Sequence, residues 1–195
     1  YTSTLNSFKK SNTKKTLDKC CQGFYNANME IQVIDNYLSE DKFKPIYDHF
    51  MGVESKWHWI DGVVTLGDGF NQFVDIIYDG FQPKSKSFDM LWSLYEREQM
   101  VALNRIKANL SVRTPELIVY DHGFHCDVRG DESQVSRITT GILYINTNNG
   151  YTLFENGEKV ESVRNRFVRF SCNMKHTGTT CTDQDKRVLI NFNYV

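Results

Sequence analysis

The chain has no excess of charge of one sign: 23 Lys and Arg stand against 24 Asp and Glu, a formal net charge of -1. No overall basic field draws it to nucleic acid, so such a partner is disfavoured and only a local patch could serve one. Apolar runs long enough to cross a bilayer are also missing, which leaves no candidate membrane helix. Only three prolines and no low-complexity tract occur, so nothing points to long disorder. Cysteine is sparse and badly placed for cross-linking. Cys20, Cys21, Cys126, Cys172 and Cys181 make an odd count without a C-x-x-C pair. Neither a disulfide framework nor a zinc knuckle is indicated, and reduced thiols in a cytoplasmic setting are the expectation. No secretory signal is visible, and because the chain opens at Tyr1 rather than Met the reading allows for a trimmed upstream segment.

What is present suits one domain with a real core. The 195 residues are 40% hydrophobic and include thirteen Phe, ten Tyr and three Trp. Residues 1–29, with "SFKKSNTKKTLDKCCQGF", are rich in Lys, Ser, Thr and Asn and read as a tail or peripheral helix; residues 30–195 read as the domain. "EIQVID" looks like a strand. From Ser39, "SEDKFKPIYDHFMG" reads as a helix with Ser39 as cap, Glu40 and Asp41 at its positive end and Gly52 as its stop. Phe43, Ile46, Tyr47, Phe50 and Met51 share one face, while Pro45 argues for a late start or a bend. "SKSFDMLWSLYEREQ" reads as a second helix with Phe88, Leu91, Leu94 and Tyr95 on one side. Beyond Val101 the segments turn short, β-branched and aromatic: "NRIKANLS", "ELIVY", "RITTGILYIN", "YTLFE", "EKVESV", "RFVRFS" and "KRVLINFNYV". Asn156-Gly157 marks a hairpin between two of them. The expected fold is therefore mainly β with helices (α+β): a sandwich or jelly roll with the early helices packed on one outer face.

The polar cluster "YDHGFHCDVRGD", Tyr120 to Asp131, raises the question of a metal. His49 and His58 read as structural. An H-x-D triplet such as His125-Cys126-Asp127 is weak evidence alone. In extended backbone, however, residues two apart point the same way, so His125 and Asp127 can reach one ion. His122, five residues before Asp127, is the rival first ligand and would need a turn. The only later histidine is His176, after the strand-like "RFVRFS". Two His and one carboxylate leave coordination positions open, the facial set suited to Fe(II), whereas structural zinc would close its shell with four ligands.

Eleven residues after His176, Arg187 opens the last strand. There Arg187, Leu189, Asn191 and Asn193 alternate with Val188, Ile190, Phe192 and Tyr194, giving one polar-tipped face and one apolar strip. An arginine on the polar face of a barrel strand presents a planar fork matched to a carboxylate, the alternative being a surface salt bridge; the accompanying metal set favours the first.

H-x-D, a distant His and an Arg about ten residues on, with "GILYIN" and "GYTLFENG" between, resemble the Fe(II)- and 2-oxoglutarate-dependent dioxygenases. Within them the chain looks most like the prolyl 4-hydroxylase type, including members encoded by marine bacteriophages, over roughly residues 30–195. The resemblance implies a double-stranded β-helix (jelly roll, cupin-like) with supporting N-terminal helices. It implies iron on His125, Asp127 and His176, and 2-oxoglutarate gripped through its C5 carboxylate by Arg187. Tyr144 matches a family tyrosine whose hydroxyl reaches that carboxylate, but it could equally be a barrel-lining aromatic. Asn109, on the strand before the motif, could reach the cosubstrate. Tyr120 lies near the place where several relatives carry a cosubstrate tyrosine, without a secure alignment. Family chemistry would hydroxylate a C–H bond using O2, with CO2 and succinate as co-products and ascorbate as reductant. Relatives that halogenate carry a small residue in place of Asp127, so its presence implies hydroxylation. The implied acceptor is a protein or peptide side chain, prolyl by analogy; the alternatives are a nucleobase, a small metabolite, or a non-catalytic jelly-roll binding module. A phage-encoded member would work in the host cytoplasm. Loops such as "VTLGDGFNQF" and "VRGDESQVSR", with Arg129 and Arg137 flanking the latter, are expected to be mobile and to set specificity. Oligomeric state is not legible.

Overall fold

Period-two alternation sets the architecture. The structure, a computed structural model, describes residues 30–120 and 123–195; the expected tail at 1–29 and the rival ligand His122 lie outside the described residues. The elements run β1 (Gln32–Ile34), α1 (Glu40–Met51), β2 (His58–Ile60), β3 (Gln72–Asp79), β4 (Gln82–Pro83), α2 (Ser87–Met90), α3 (Trp92–Arg97) and β5 (Leu103–Val112). There follow α4 (Glu132–Val135), β6 (Thr139–Tyr144), β7 (Tyr151–Phe154), β8 (Lys159–Glu161), β9 (Arg166–Ser171), β10 (His176–Gly178) and β11 (Lys186–Tyr194). All pairings are antiparallel. The larger sheet has the order β1-β9-β6-β11-β5-β3-β2 with β4 on β3, and the smaller has β10-β7-β8.

The central strand β11 shows how the pattern builds the layers. Val188, Ile190, Phe192 and Tyr194 are at most 5% exposed and pack with Phe43, Ile46 and Phe50 of α1 and Leu94 and Tyr95 of α3. On β5, Ile106, Ala108 and Leu110 join the same layer. Burying each of these large side chains contributes about 1.5–3 kcal/mol. The opposite face of the sheet meets the smaller sheet through Ile142, Tyr144, Val168, Phe170 and Leu189 against Phe154 and Val160. The polar residues of β5 and β11 are left between the sheets, and there they define a cavity. The early helices α1, α2 and α3 thus sit on one outer face, as the sequence implies.

Several local expectations change. The first helix starts at Glu40 and carries Pro45 inside it rather than starting late. One missing N–H costs it little beside the burial of Phe43, Ile46 and Phe50. The second expected helix is two short ones, divided at the fully buried Leu91, whose ψ of 7° breaks the run. "ELIVY" is not a strand: only Val119 forms a bridge, to Thr179. The Thr180 hydroxyl takes the Ile118 N–H at 2.9 Å, so a side chain replaces part of the ladder. Conversely β3, unassigned by the sequence reading, is a well-paired strand beside β5. Its Asp75 interrupts an otherwise apolar run, and the buried carboxylate is satisfied by the hydroxyls of Ser85 (3.0 Å) and Ser87 (2.9 Å). Asn156-Gly157 makes the expected β7–β8 turn, with Gly157 at φ 90°.

One polar knot ties α3 to the strands. The Glu98 side chain, 3% exposed, accepts hydrogen bonds from Tyr37 Oη (2.7 Å), Tyr194 Oη (2.5 Å) and Arg169 Nη1 (3.0 Å). Glu98→Ala would strand two phenol hydroxyls, and the expected loss is about 2–4 kcal/mol. A urea unfolding curve checks this; a midpoint equal to wild type would contradict it.

Candidate metal centre and the cavity behind it

His125 and His176 are brought together by backbone before side chains enter. They form an isolated antiparallel bridge with reciprocal N–H···O bonds of 3.1 Å, which places both side chains on one face. Their rings lie 5.0 Å apart. Each ring's Nδ1 is held by a carbonyl two residues back, His125 by Gly123 (2.5 Å) and His176 by Met174 (3.0 Å). With Nδ1–H as donor, both Nε2 lone pairs are left for an ion. Asp127 supplies the third side: Oδ1 lies 3.7 Å from His125 Nε2, and Oδ2 3.8 Å from His176 Nε2. The three ligand atoms lie within 4.8 Å of one another.

The carboxylate is held from behind. Asp127 Oδ2 accepts from Thr140 Oγ1 (3.0 Å), Asn191 Nδ2 (3.1 Å) and Asn193 Nδ2 (3.1 Å). Burial alone would raise its pKa, but the two imidazoles and Asn191 outweigh it and hold the carboxyl well below the ordinary range. Burial lowers the His176 pKa despite the opposing pull of Asp127, which favours the neutral imidazole that metal binding requires. This donor set fits Fe(II): two nitrogens and one ionised oxygen converge on one side, and no further His, Cys, Asp or Glu joins the group among the described residues.

A cavity of about 430 Å³ opens from the triad into the space between the sheets. At one end is Arg187, 4% exposed, its Nε donating to Ser162 Oγ at 2.8 Å. Its Nη2 is buried without a hydrogen-bond partner, and no carboxylate pairs with it among the described residues. An isolated buried cation is costly, so this guanidinium suits an anionic ligand. Asn109 lines the same cavity, with its Nδ2 3.4 Å from the Lys107 carbonyl. Tyr144 is placed differently: fully buried, its hydroxyl donates to Thr152 Oγ1 at 2.7 Å, and Thr152, not Tyr144, lines the cavity. Tyr120 does line it, its hydroxyl donating to Ser111 at 3.1 Å. Arg129 also lines it and is exposed at its outer side, whereas Arg137 is simply exposed. His49 lies apart from the site, its Nε2 3.0 Å from Ser87 Oγ.

The sequence reading did not single out Thr140, Thr152, Arg105 or Lys107. The signal was available for the last two: on β5, Arg105, Lys107, Asn109 and Ser111 alternate with Ile106, Ala108 and Leu110, and all four polar residues line the cavity. Burial pushes the Lys107 ammonium down to about 8, with Arg105 adding to the effect and Asp127 opposing it.

Gly150 is packed so tightly that a Cβ would meet the Thr180 carbonyl oxygen at 2.6 Å and Arg187 Cδ at 2.6 Å. Gly150→Ala should therefore displace Arg187 and weaken binding of a dicarboxylic acid by roughly tenfold or more, read by calorimetry. The loop expected to be mobile, which contributes Val63, Val64 and Thr65 to the cavity wall, is stapled by Asp68. Its carboxylate accepts the N–H groups of Val63 (3.0 Å), Val64 (2.8 Å), Thr65 (3.1 Å) and Phe70 (3.1 Å). Burial opposes ionisation, yet these amides win and lower the Asp68 pKa from 3.8. A depressed carboxylate contributes stability that is complete above its unfolded pKa and is lost as pH falls through the folded value. Asp68→Ala should speed hydrogen exchange at those four amides by an amount worth about 1–3 kcal/mol. The wild-type loop should loosen in the same way only below that carboxylate range. Unchanged exchange in the variant would contradict the staple.

No protein-family model matches the chain, and no curated protein matches it in sequence. Solved structures do match. A Pseudomonas putida prolyl-4-hydroxylase superimposes with TM-score 0.56 at 12% identity, covering 86% of this chain and 94% of that one. HygX from Streptomyces hygroscopicus, solved with nickel and 2-oxoglutarate bound, gives 0.56 at 11% identity over 86% and 83%. A prolyl hydroxylase from Trichoplax adhaerens, in complex with a hypoxia inducible factor peptide fragment, gives 0.56 at 13% identity over 84% and 82%. The chain therefore has the double-stranded β-helix fold of these oxygenases.

Proposed function

We propose that this chain is an Fe(II)- and 2-oxoglutarate-dependent oxygenase that hydroxylates an aliphatic C–H bond. The observation that carries the reading is a pairing within one cavity. A convergent His125–Asp127–His176 set stands at one part, and a buried guanidinium lacking a carboxylate, Arg187, at the other. The first suits Fe(II), and the second suits the far carboxylate of a dicarboxylic keto acid. Similarity of fold to HygX, whose structure holds nickel and 2-oxoglutarate, supports the same pairing.

Iron held by the triad would supply the redox chemistry, with O2 and 2-oxoglutarate consumed and succinate, CO2 and one alcohol formed for each C–H bond broken. The protein's own residues bind and orient. Arg187 fixes the cosubstrate carboxylate, with Ser162 holding its Nε. Gly123 and Met174 carbonyls lock the two imidazoles, while Thr140, Asn191 and Asn193 fix Asp127 and keep it ionised. Ile142 and Leu189 present apolar surface between the two ends and limit water. Tyr144, through Thr152, and Asn109 belong to the cosubstrate wall in this reading. The acceptor is proposed to be a protein or peptide side chain, prolyl by analogy with the neighbours named above; the peptide held by the Trichoplax adhaerens enzyme supports that choice.

The test is turnover of 2-oxoglutarate to succinate by protein supplied with Fe(II), ascorbate and O2, with and without proline-containing peptides. Succinate formation above a chelator-treated control is expected. No succinate, together with no binding of 2-oxoglutarate to the metal-loaded protein, would overturn the proposal.

A further inference from the structure

The cavity holds more positive charge than one dicarboxylic acid needs. Besides Arg187 it is lined by Arg105, Lys107 and Arg129, and among the described residues Asp127 is the one carboxylate on its wall. The Lys107 ammonium makes no hydrogen bond or ion pair with any described residue, although the side chain is partly buried. Arg105 is 33% exposed and its Nη2 stands 3.9 Å from Asp127 Oδ1, the oxygen that faces His125. Asp127 Oδ2 is already committed to three neutral donors, so the carboxylate does not neutralise both cations and a metal as well.

Strand register separates these cations from Arg187. In the β5–β11 pairing Arg187 lies opposite Ser111, Asn191 opposite Lys107 and Asn193 opposite Arg105. Lys107 and Ser111 are four residues apart on one strand, about 13 Å, so the two basic ends do not serve a single carboxylate. Because Asn191 and Asn193 both hold Asp127, Lys107 and Arg105 are level with the triad itself, and exposed Arg129 continues the same basic surface outward.

We infer that Lys107 and Arg105, with Arg129 at the opening, form a second anion site beside the metal position, so that the acceptor carries a carboxylate or phosphate next to the carbon that reacts. The inference rests on the function proposed above and narrows its acceptor to an acidic one. A neutral acceptor would leave the Lys107 ammonium without a partner and Arg105 with only its long contact to Asp127, which disfavours it against an acidic one.

The test uses protein saturated with nickel(II) and 2-oxoglutarate, into which N-acetyl-L-proline, its neutral counterpart N-acetyl-L-prolinamide and inorganic phosphate are each titrated by calorimetry. At least one of the two anions should bind saturably without displacing 2-oxoglutarate, roughly tenfold or more tightly than the amide. Which anion binds better tells a carboxylate acceptor from a phosphorylated one. Lys107→Met should weaken that anion by roughly tenfold or more. Binding of neither anion, displacement of 2-oxoglutarate, or equal affinity in Lys107→Met would overturn the inference. Failure of 2-oxoglutarate itself to bind the nickel-loaded wild type would strike the proposed function instead, so the two failures are distinguishable.

Discussion

His176→Ala is expected to abolish iron-dependent turnover and to weaken metal binding by well over about 100-fold, beyond the 10- to 100-fold that follows loss of a mere supporting partner of a ligand. His176 is 4% exposed, contributes Nε2 to a three-atom donor set and is held by the Met174 carbonyl. No neighbouring His, Cys, Asp or Glu among the described residues can substitute. The change also removes ring contacts with Phe170 (4.8 Å between centroids) and Phe154 (6.1 Å). A fall in stability of about 1–3 kcal/mol is therefore expected beside the lost metal. Metal content after anaerobic loading separates the two effects, since a folded variant that still retains one equivalent of iron would contradict the assignment. Asn193→Ala provides the graded counterpart: it spares the donors but removes one of three hydrogen bonds to Asp127 Oδ2, and a partial loss of metal affinity is expected.

Arg187→Met is expected to spare metal binding and to cost 2-oxoglutarate about 2–5 kcal/mol of affinity, roughly 30-fold to a few thousand-fold. The guanidinium is buried, is fixed by Ser162 and has an unpartnered Nη2. Met replaces its length with apolar volume, so the folded chain loses a desolvated cation and should be as stable as wild type or more stable. A variant with weaker cosubstrate binding and an undiminished unfolding midpoint is the signature of a residue kept for its ligand. Loss of stability with unchanged 2-oxoglutarate affinity would show that Arg187 is structural.

The alternation of β11 and the H-x-D triplet were legible because each is local: side chains two apart share a face whatever else the chain does. The convergence of His176 with His125 was legible only as a requirement for a third ligand, and the backbone bridge that achieves it joins segments some fifty residues apart in sequence. Local pattern failed where tertiary contacts overrode it. Asp75 disguised β3 because two serines from a later segment satisfy its carboxylate. "ELIVY" looked like a strand, yet the Thr180 hydroxyl takes one of its backbone donors. Asp68 read as loop polarity, although its carboxylate collects four amides at once. Tyr144 was named from a resemblance, and its hydroxyl turns to Thr152 at the margin of the cavity. Lys107 and Arg105 stood in plain view on an alternating strand, but a polar face reads as solvent-facing until a second sheet is seen to cover it.

The proposed chemistry requires one ferrous ion and one keto acid to share this cavity. Its most direct test is an anaerobic titration of 2-oxoglutarate into iron-loaded protein, followed in the visible region. A weak absorption band that saturates at one equivalent, and is absent in His176→Ala, is the predicted result. Iron that binds without responding to 2-oxoglutarate, or a band that survives in His176→Ala, would contradict it.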